Sequence, residues 1–276
     1  MEKKPHSVIK NIIAVLIACI IVAGAVFCVL NYDRIFAQAE PEADAEISEA
    51  VSYITKLEGT DTKPIEDQIF KEDHFIPIEK LEKQFRKNPE TIWKTLKEYD
   101  TLIMGDSRAQ CFLLYDYMDQ QHCLVESSTT IYKIKDYIKE VKERKPRVIV
   151  ISYGINDTGL YHDYGVEKYT KDFADMIDDL KKADPGVKVY VNSILPCLES
   201  EYDRAPNWMV IPDWNKYIKK YCKEHDIGYI DATEVCNQHR DLYISDGVHF
   251  ESDFYPYWGA VIAATIVSDY SMEPED

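Results

Sequence analysis

The sequence predicts an α/β fold in which helices cover both faces of a central parallel sheet. Two observations carry this prediction. From Thr101 onward, apolar runs of strand length alternate with segments whose apolar residues recur at helical spacing, and repeated β-α units build parallel sheets. Val148–Ser152 (Val-Ile-Val-Ile-Ser) is a β-branched run typical of a strand buried on both faces.

Predicted strands and helices alternate along this region. The predicted strands are Thr101–Met104, Leu124–Val125, Val148–Ser152, Val187–Leu195 and Ile227–Ile230. The predicted helices are Ser107 to about Met118, Trp214–His225, Tyr255–Tyr270 and two amphipathic segments, one with Ile131, Ile134, Ile138 and Val141 on its apolar face and one with Phe173, Met176, Ile177 and Leu180. Loops that come after parallel strands meet at the carboxyl edge of the sheet, where ligands bind in this class of fold.

Residues 1–39 are predicted to form a membrane segment. Lysines near the start precede an uninterrupted apolar stretch, Ile12–Leu30, which is about as long as a helix that spans a bilayer. The basic flank places the N-terminus inside and the rest outside, so we expect a single-pass protein of the cell membrane with an extracytoplasmic domain. The alternative is a signal peptide cleaved near Ala39, which would leave the domain secreted.

Residues 40–100 are predicted to connect this segment to the main domain. Glu40–Glu46 is acidic and is interpreted as a solvated spacer. Beyond it are partial helical faces interrupted by Pro64, Pro77 and Pro89, and we expect a helical stalk or cap there. The main domain is then residues 101–276.

Composition limits the partners. The formal net charge is −17, and 46% of the residues are hydrophobic, so a packed core is feasible. Such acidity argues against nucleic acid, whose phosphates need lysine and arginine. Small ester substrates are compatible with this composition.

The cysteines do not predict a metal site. Those of the main domain are Cys111, Cys123, Cys197, Cys222 and Cys236. A Cys111–Cys123 disulfide and reduced buried thiols are both compatible with this spacing. Because no C-x-x-C motif or Cys/His cluster occurs, we expect neither a metal nor a cofactor.

Gly105-Asp106-Ser107 comes directly after the first predicted strand. Gly105 suits a tight turn into a helix, and a helix N-terminus presents free N–H groups that favour an oxyanion. Ser107 is therefore a candidate nucleophile, and its own N–H is a candidate oxyanion donor. The alternative is that Asp106 and Ser107 only cap the helix.

Gly154-Ile155-Asn156-Asp157 comes after the third predicted strand. The side-chain amide of Asn156 is a candidate oxyanion donor, and Asp157 can orient that amide or cap the next segment of the chain. A plain Gly/Asn/Asp turn is the alternative.

Asp246 and His249 lie three residues apart in a predicted loop before the last helix. One turn can bring the carboxylate of Asp246 to Nδ1 of His249 and leave Nε2 facing Ser107. The carboxylate would then hold the tautomer and stabilise the imidazolium. A surface turn with an isolated histidine is the alternative, which the presence of Ser107 and Asn156 disfavours.

These three segments resemble the SGNH hydrolases, the GDSL-type esterase/lipase superfamily, in a membrane-anchored bacterial form. Gly105-Asp106-Ser107 is similar to the first block of that family, Gly154-x-Asn156-Asp157 to the third and Asp246-x-x-His249 to the last. The resemblance spans about Thr101–Tyr270 and implies a flavodoxin-like three-layer α/β/α fold.

The resemblance also implies roles. Ser107 would be the nucleophile, His249 the base and Asp246 its partner. The N–H of Ser107 and the side chain of Asn156 would be oxyanion donors, while Gly105, Asp106, Gly154 and Asp157 would support them.

The second block departs from the family pattern. That block supplies a glycine whose N–H is a further oxyanion donor, but no glycine occurs between Arg108 and Arg147. The backbone N–H of Ser127 or Ser128 is the candidate replacement, if the backbone angles there suit a residue other than glycine.

Three side chains are candidates for substrate binding. Arg108 can bind an acidic group, although an arginine there is more often a surface or ion-pair residue. Tyr153 and Trp208, with Tyr161, can line a sugar-binding cleft. For Trp208 the alternative is an aromatic ring that anchors its loop on the core.

We therefore expect an extracytoplasmic serine esterase that removes O-acetyl groups from carbohydrate or cell-envelope esters. One alternative is a cell-wall O-acyltransferase with the same triad, which would need a membrane acyl-donor partner. The other is a glycan-binding protein on a degenerate fold of this family.

Overall fold

The computed structural model describes residues 18–27 and 75–272. Residues 18–27 are helical and exposed. Within these two ranges no helix is long and apolar enough to cross a membrane. Residues 12–17 and 28–30 of the apolar stretch Ile12–Leu30 lie outside the described residues, as do the spacer Glu40–Glu46 and the potential cleavage site near Ala39.

Five parallel strands form one sheet in the order β2-β1-β3-β4-β5. The strands are β1 (Thr101–Gly105), β2 (Cys123–Val125), β3 (Val148–Ser152), β4 (Lys188–Asn192) and β5 (Gly228–Ile230). This is the flavodoxin-like order, so the predicted parallel α/β fold is confirmed. In the pairing of β1 with β3, Gly105 lies beside Ser152, which brings the loops after both strands to the same edge.

Nine α-helices accompany the strands in residues 75–272. They are α1 (Ile78–Lys87), α2 (Glu90–Glu98), α3 (Ser107–Leu114), α4 (Ile134–Arg144), α5 (Asp157–Leu160), α6 (Gly165–Ala183), α7 (Ile211–Glu224), α8 (Thr233–Gln238) and α9 (Tyr255–Tyr270). Short 3-10 turns are Ile131–Lys133, Glu199–Glu201, Pro206–Val210, Arg240–Leu242 and Ser252–Phe254.

Two predicted elements are shorter than expected. Helix α3 ends at Leu114 rather than near Met118, because Asp116 adopts a left-handed φ of 58° that no helix continues through. Strand β4 ends at Asn192 rather than Leu195. Just beyond it, the main-chain N–H and C=O of Ile194 both pair with the side chain of Asn215, so they are not available to a strand.

Apolar side chains of the strands alternate between two cores. Ile103, Val148 and Val150 face one layer, which α1, α2, α3, α8 and α9 cover. Leu102, Ile149 and Ile151 face the other layer, which α4, α6 and α7 cover. Burial on both faces explains why the sequence of β3 is a continuous β-branched run and does not alternate with polar residues.

Helices α1 and α2 pack into the first core, although the boundary predicted at residue 100 separates them from the domain. Leu81, Phe85, Ile92 and Leu96 are buried there, and Ile92 and Trp93 approach Gly259 of α9 so closely that a Cβ atom at Gly259 would lie 2.6 Å from the indole ring. Residues 78–98 therefore pack on the domain, which is the arrangement expected of a cap.

Candidate active site

The turn from β1 into α3 requires a glycine. A Cβ atom on Gly105 would lie 2.5 Å from Cβ of Ala109 and 2.5 Å from the carbonyl oxygen of Ser152, so no larger residue fits between the neighbouring strand and the helix. Asp106 is the N-cap of α3, and its Oδ1 accepts the N–H of Arg108 at 3.1 Å. This cap places Ser107 at the first position of the helix.

Ser107, His249 and Asp246 form a continuous hydrogen-bonded line. Oγ of Ser107 lies 2.7 Å from Nε2 of His249, and Nδ1 of His249 lies 2.6 Å from Oδ2 of Asp246. All three residues are half-buried. The arrangement can move a proton from the hydroxyl to the imidazole while the carboxylate holds the ring.

The Asp246 carboxylate also organises its own turn. Its Oδ1 accepts the N–H groups of Val248 at 2.8 Å and His249 at 2.9 Å, while Gly247 takes a left-handed φ of 65°. Burial alone would raise the pKa of Asp246, but the hydrogen bonds from His249 and Val248 outweigh it and hold that pKa below its usual value. The group that faces the imidazole is thus a carboxylate.

The two groups predicted as oxyanion donors, the N–H of Ser107 and the side-chain amide of Asn156, each leave a hydrogen for a ligand. The N–H of Ser107 belongs to the first turn of α3, where main-chain donors have no partner within the helix. Nδ2 of Asn156 donates one hydrogen to the carbonyl oxygen of Thr129 at 2.8 Å. Because an amide carries two N–H donors, the second remains for a ligand.

The segment after β2, where the replacement for the missing glycine was predicted, contains a residue with a positive φ. Ser128 has a φ of 60°, in the left-handed region that glycine occupies most easily. Ser127 is exposed and donates its hydroxyl to Oε1 of Gln110 at 2.5 Å. Ser128 therefore adopts this left-handed conformation although it is not a glycine. The steric cost is about 1–2 kcal/mol for a residue that carries a Cβ atom.

Two buried carboxyls lie behind these donors. Asp157 is fully buried, and its Oδ1 accepts the N–H of Ile131 at 3.0 Å, which joins the loops after β2 and β3. Burial raises the pKa of Asp157 to about 7. Burial also raises the pKa of Asp106, although the guanidinium of Arg108 opposes that change. One oxygen of each carboxyl has no hydrogen-bond partner among the described residues.

Gly154 holds the loop of Asn156 against the end of the sheet. Its φ is 138°, and a Cβ atom there would lie 2.4 Å from Cγ1 of Ile194. No side chain can occupy that position without a shift of the core.

The structure corrects the expected substrate-binding role of Arg108 and Tyr153. Arg108 is 3% exposed and donates to the carbonyl oxygen of Leu195 at 2.5 Å. Tyr153 is likewise 3% exposed, and Tyr161 is buried with its hydroxyl on Asp172 at 2.7 Å. These side chains turn into the protein because the residues after β1 and β3 are still part of the core layers.

Trp208 is half-buried and anchors its loop. Its Nε1 donates to the carbonyl oxygen of Ile155 at 3.2 Å, and the guanidinium of Arg204 lies 5.2 Å from the centre of its ring. The ring therefore packs on the loop that carries Asn156, as expected for an aromatic residue that anchors a loop rather than lines a cleft.

Sequence patterns missed the segment between β4 and α7, which contacts both halves of the site. On one side, Leu198 N donates to Gly247 O at 2.8 Å and Arg204 Nη2 to Asp246 O at 3.2 Å. On the other side, Asn207 Nδ2 donates to Thr158 Oγ1 at 2.9 Å. The sequence of such a loop has no hydrophobic periodicity, and Trp208 was its one predicted site residue.

The cysteines of the domain are free thiols. Cys111, Cys123, Cys197, Cys222 and Cys236 have no disulfide partner, so the Cys111–Cys123 pair does not form. Among the described residues no group of three or more His, Cys, Asp or Glu side chains is arranged to hold a metal ion.

The hydrogen-bonded line of serine, histidine and aspartate lies in loops at one end of a parallel sheet, and serine hydrolases use the same three side-chain types. Residues 123–255 match the model of the GDSL-like lipase/acylhydrolase family. The matched stretch contains Asn156, Asp246 and His249 and begins after Ser107. This similarity supports a hydrolase that acts on ester bonds. No curated protein matches the chain.

Solved structures with similar folds have low identity to this chain. A GDSL-like lipase from Bacteroides thetaiotaomicron is 20% identical, with 66% of this chain and 94% of that chain covered and a TM-score of 0.47. A lipase/acylhydrolase from Enterococcus faecalis is 19% identical, with 64% and 98% covered and a TM-score of 0.48. An acetyl xylan esterase from Geobacillus stearothermophilus is 16% identical, with 64% and 96% covered and a TM-score of 0.42. These scores carry no conclusion about substrate.

Proposed function

We propose that this protein is an extracytoplasmic serine esterase that removes small acyl groups, above all O-acetyl groups, from carbohydrate or cell-envelope esters. The observation that carries the proposal is the hydrogen-bonded line from Oγ of Ser107 through His249 to Asp246. The match of residues 123–255 to an acylhydrolase family supports it.

The proposed reaction has two halves. Oγ of Ser107 attacks the ester carbonyl and passes its proton to Nε2 of His249, and the imidazolium is stabilised by Asp246. His249 then returns the proton to the departing alcohol, which leaves an acyl-serine. Water, deprotonated by His249, attacks that ester and releases the carboxylic acid and the free serine.

The carbonyl oxygen carries the negative charge in both halves. The N–H of Ser107 and the second N–H of Asn156 would donate to it. Each such donor is worth about 2.7–4 kcal/mol of barrier height in a related oxyanion site. Because Thr129 already holds the amide of Asn156, the donor is oriented before substrate arrives.

The extracytoplasmic location rests on the sequence. The apolar stretch Ile12–Leu30 with its basic N-terminal flank supports export of the rest of the chain. The preference for small acyl groups rests on the absence from the sequence of an apolar insertion large enough to cover a lipid.

The test is hydrolysis of p-nitrophenyl acetate by the full chain in detergent, beside Ser107→Ala and Ser200→Ala. Ser200 is an exposed serine on the loop after β4, so its variant controls for the substitution itself. We expect turnover that disappears only in Ser107→Ala. Equal background rates in all three proteins would refute serine ester chemistry.

A second measurement addresses the natural substrate. Release of free acetate from an O-acetylated glycan, with and without an added unacetylated glycan, separates hydrolysis from transfer. We expect acetate release that the added glycan does not reduce. Transfer of the acetyl group to the added glycan would instead favour the acyltransferase.

A further inference from the structure

In residues 75–272 the edge of the sheet opposite β2 is open. Strand β5 pairs with β4 on one side, and no strand lies on its other side in the described part of the chain. Ser193 N donates to the carbonyl oxygen of Ile230 at 2.8 Å, so Ile230 turns its main-chain groups toward β4. Because adjacent residues of a strand turn to opposite sides, Tyr229 presents its N–H and C=O outward.

A groove of about 690 Å³ runs along this edge. From the edge itself it is lined by Ile227, Tyr229 and Asp231, which are alternate residues and include the one whose main-chain groups face outward. Helices α1 and α9 line the groove with Ile78 and Val261, which are apolar, and with Glu82 and Thr265, which are polar.

The other wall is basic. Helix α7 contributes Lys216, Lys219, Lys220 and Lys223, whose spacing of three and four residues places them on one helix face. Only two acidic residues, Glu82 and Asp231, line the same groove. The chain as a whole has a net charge of −17, so the positive charge of this wall is opposite in sign to the charge of the protein. The wall therefore favours an acidic partner.

Lys219 pairs with Asp231 of the same groove at 2.9 Å, but Lys216 and Lys220 are held only weakly by their present partners. Lys216 pairs with Asp213 at 3.0 Å and Lys220 with Glu224 at 3.7 Å, with both lysines at least 75% exposed. Exposed pairs of this kind are worth about 0–1 kcal/mol. A bound carboxylate can therefore replace them at little cost.

We propose that the open edge of β5 binds an extended peptide strand in which acidic and apolar side chains alternate. The added strand would pair with the outward N–H and C=O of Tyr229, as in β-strand addition. Successive side chains of a strand point to opposite faces, so the acidic ones would meet the lysines of α7 and the apolar ones Ile78 and Val261. The surface is independent of the ester site and of its proposed activity.

A second copy of this chain does not fit the same edge. Two copies joined antiparallel along β5 would place both α7 helices on one face of the continuous sheet. Their two rows of lysines would then lie close to each other, and like charges placed opposite each other are unfavourable. A partner with acidic side chains on that face is what the edge selects.

The test uses a fluorescent peptide of alternating glutamate and valine, about eight residues long, which spans about 26 Å as a strand. Fluorescence anisotropy with the full chain in detergent should show binding that weakens as salt is added. A peptide with the same residues in two blocks, and a peptide with N-methyl groups on every second amide, should each bind at least about tenfold more weakly, the equivalent of about 1.4 kcal/mol.

Two protein variants form a matched pair. Lys220 and Lys139 are exposed helix lysines that each have a glutamate four residues later, at 3.7 Å and 3.8 Å, but Lys139 lies on α4. We expect Lys220→Glu to weaken binding about fivefold and Lys139→Glu to leave it unchanged, with the same urea midpoint and the same p-nitrophenyl acetate turnover in both.

Three results would overturn the proposal. The first is no binding of the alternating peptide by the folded protein. The second is equal affinity for the alternating, block and N-methylated peptides, which means adsorption by charge alone. The third is an equal loss of affinity in Lys220→Glu and Lys139→Glu, since net charge rather than the β5 edge would then control binding.

Discussion

Asp157→Asn should remove a pH-dependent penalty from the free energy of unfolding. Asp157 is fully buried with Oδ1 on the N–H of Ile131, and its Oδ2 has no hydrogen-bond partner among the described residues. Burial raises its pKa from the usual 3.8 to about 7. The folded protein therefore keeps a proton on Asp157 at pH values where the unfolded chain has lost it.

This difference in pKa sets the sign and size of the effect. Below pH 3.8 the carboxyl is protonated in both states, and no penalty exists. Between pH 3.8 and about 7 the folded state binds more protons, so stability falls as pH rises. At 1.36 kcal/mol per pKa unit, the loss reaches about 4 kcal/mol above pH 7 and is then constant.

Asparagine has the shape of the protonated carboxyl and does not ionise. Its Oδ1 can still accept the N–H of Ile131, while Nδ2 at the unpartnered position adds a cost that does not depend on pH, about 1–3 kcal/mol. The informative quantity is thus the change in the stability difference between variant and wild type with pH, since groups common to both cancel.

The assay is urea unfolding of the full chain and of Asp157→Asn at intervals between pH 4 and pH 8. We expect the variant to gain about 4 kcal/mol relative to wild type across this range. Asp163→Asn, at an exposed position of the next loop, is the control and should track wild type. A stability difference for Asp157→Asn that stays constant with pH would refute the reasoning.

Three further substitutions test the site and the core. Asn156→Ala should lower kcat on p-nitrophenyl acetate about 10²–10³-fold, because it removes one oxyanion donor. Gly154→Ala should lower the free energy of unfolding by about 2–5 kcal/mol, since its Cβ atom would strike Ile194 at an unfavourable φ. Leu96→Ala should cost about 2–5 kcal/mol if α2 belongs to the core, where Leu96 is fully buried.

Each substitution has a control within the chain. Asn207→Ala, which loses a bond to Thr158, should retain far more activity than Asn156→Ala, and equal losses would argue against a donor role. Gly159→Ala meets only an ordinary contact at 3.5 Å and should be nearly neutral, whereas equal costs at both glycines would contradict the clash. Leu114→Ala, at a residue 63% exposed, should cost little. A loss at Leu114 as large as that at Leu96 would show that burial is not the cause.

The fold was predictable because its signals are local. A β-branched run such as Val148–Ser152 and the helical spacing of Ile177 and Leu180 reflect burial on particular faces. The turn Gly105-Asp106-Ser107 combines a residue without a side chain and a preferred helix cap. Each of these patterns lies within a few residues, so a sequence displays it directly.

Which partner an apolar face meets was not predictable. Leu81 and Phe85 mark a helical face, but nothing in the sequence says that it packs on α9 rather than on another chain. Arg108 and Tyr153 are polar residues near a predicted site, and their burial depends on Leu195 and on the thickness of the layers around them. These facts come from contacts between distant segments.

The sequence by itself determined the parallel α/β fold and the order in which Ser107, Asn156, Asp246 and His249 come after the strands, because backbone turns and periodic burial are local properties. The tertiary structure alone decided the 2.7 Å approach of Ser107 to His249, the inward turn of Arg108 and Tyr153, and the open edge of β5. Each of these depends on how elements far apart in the chain pack, and packing is set by three-dimensional complementarity that no short stretch of sequence contains.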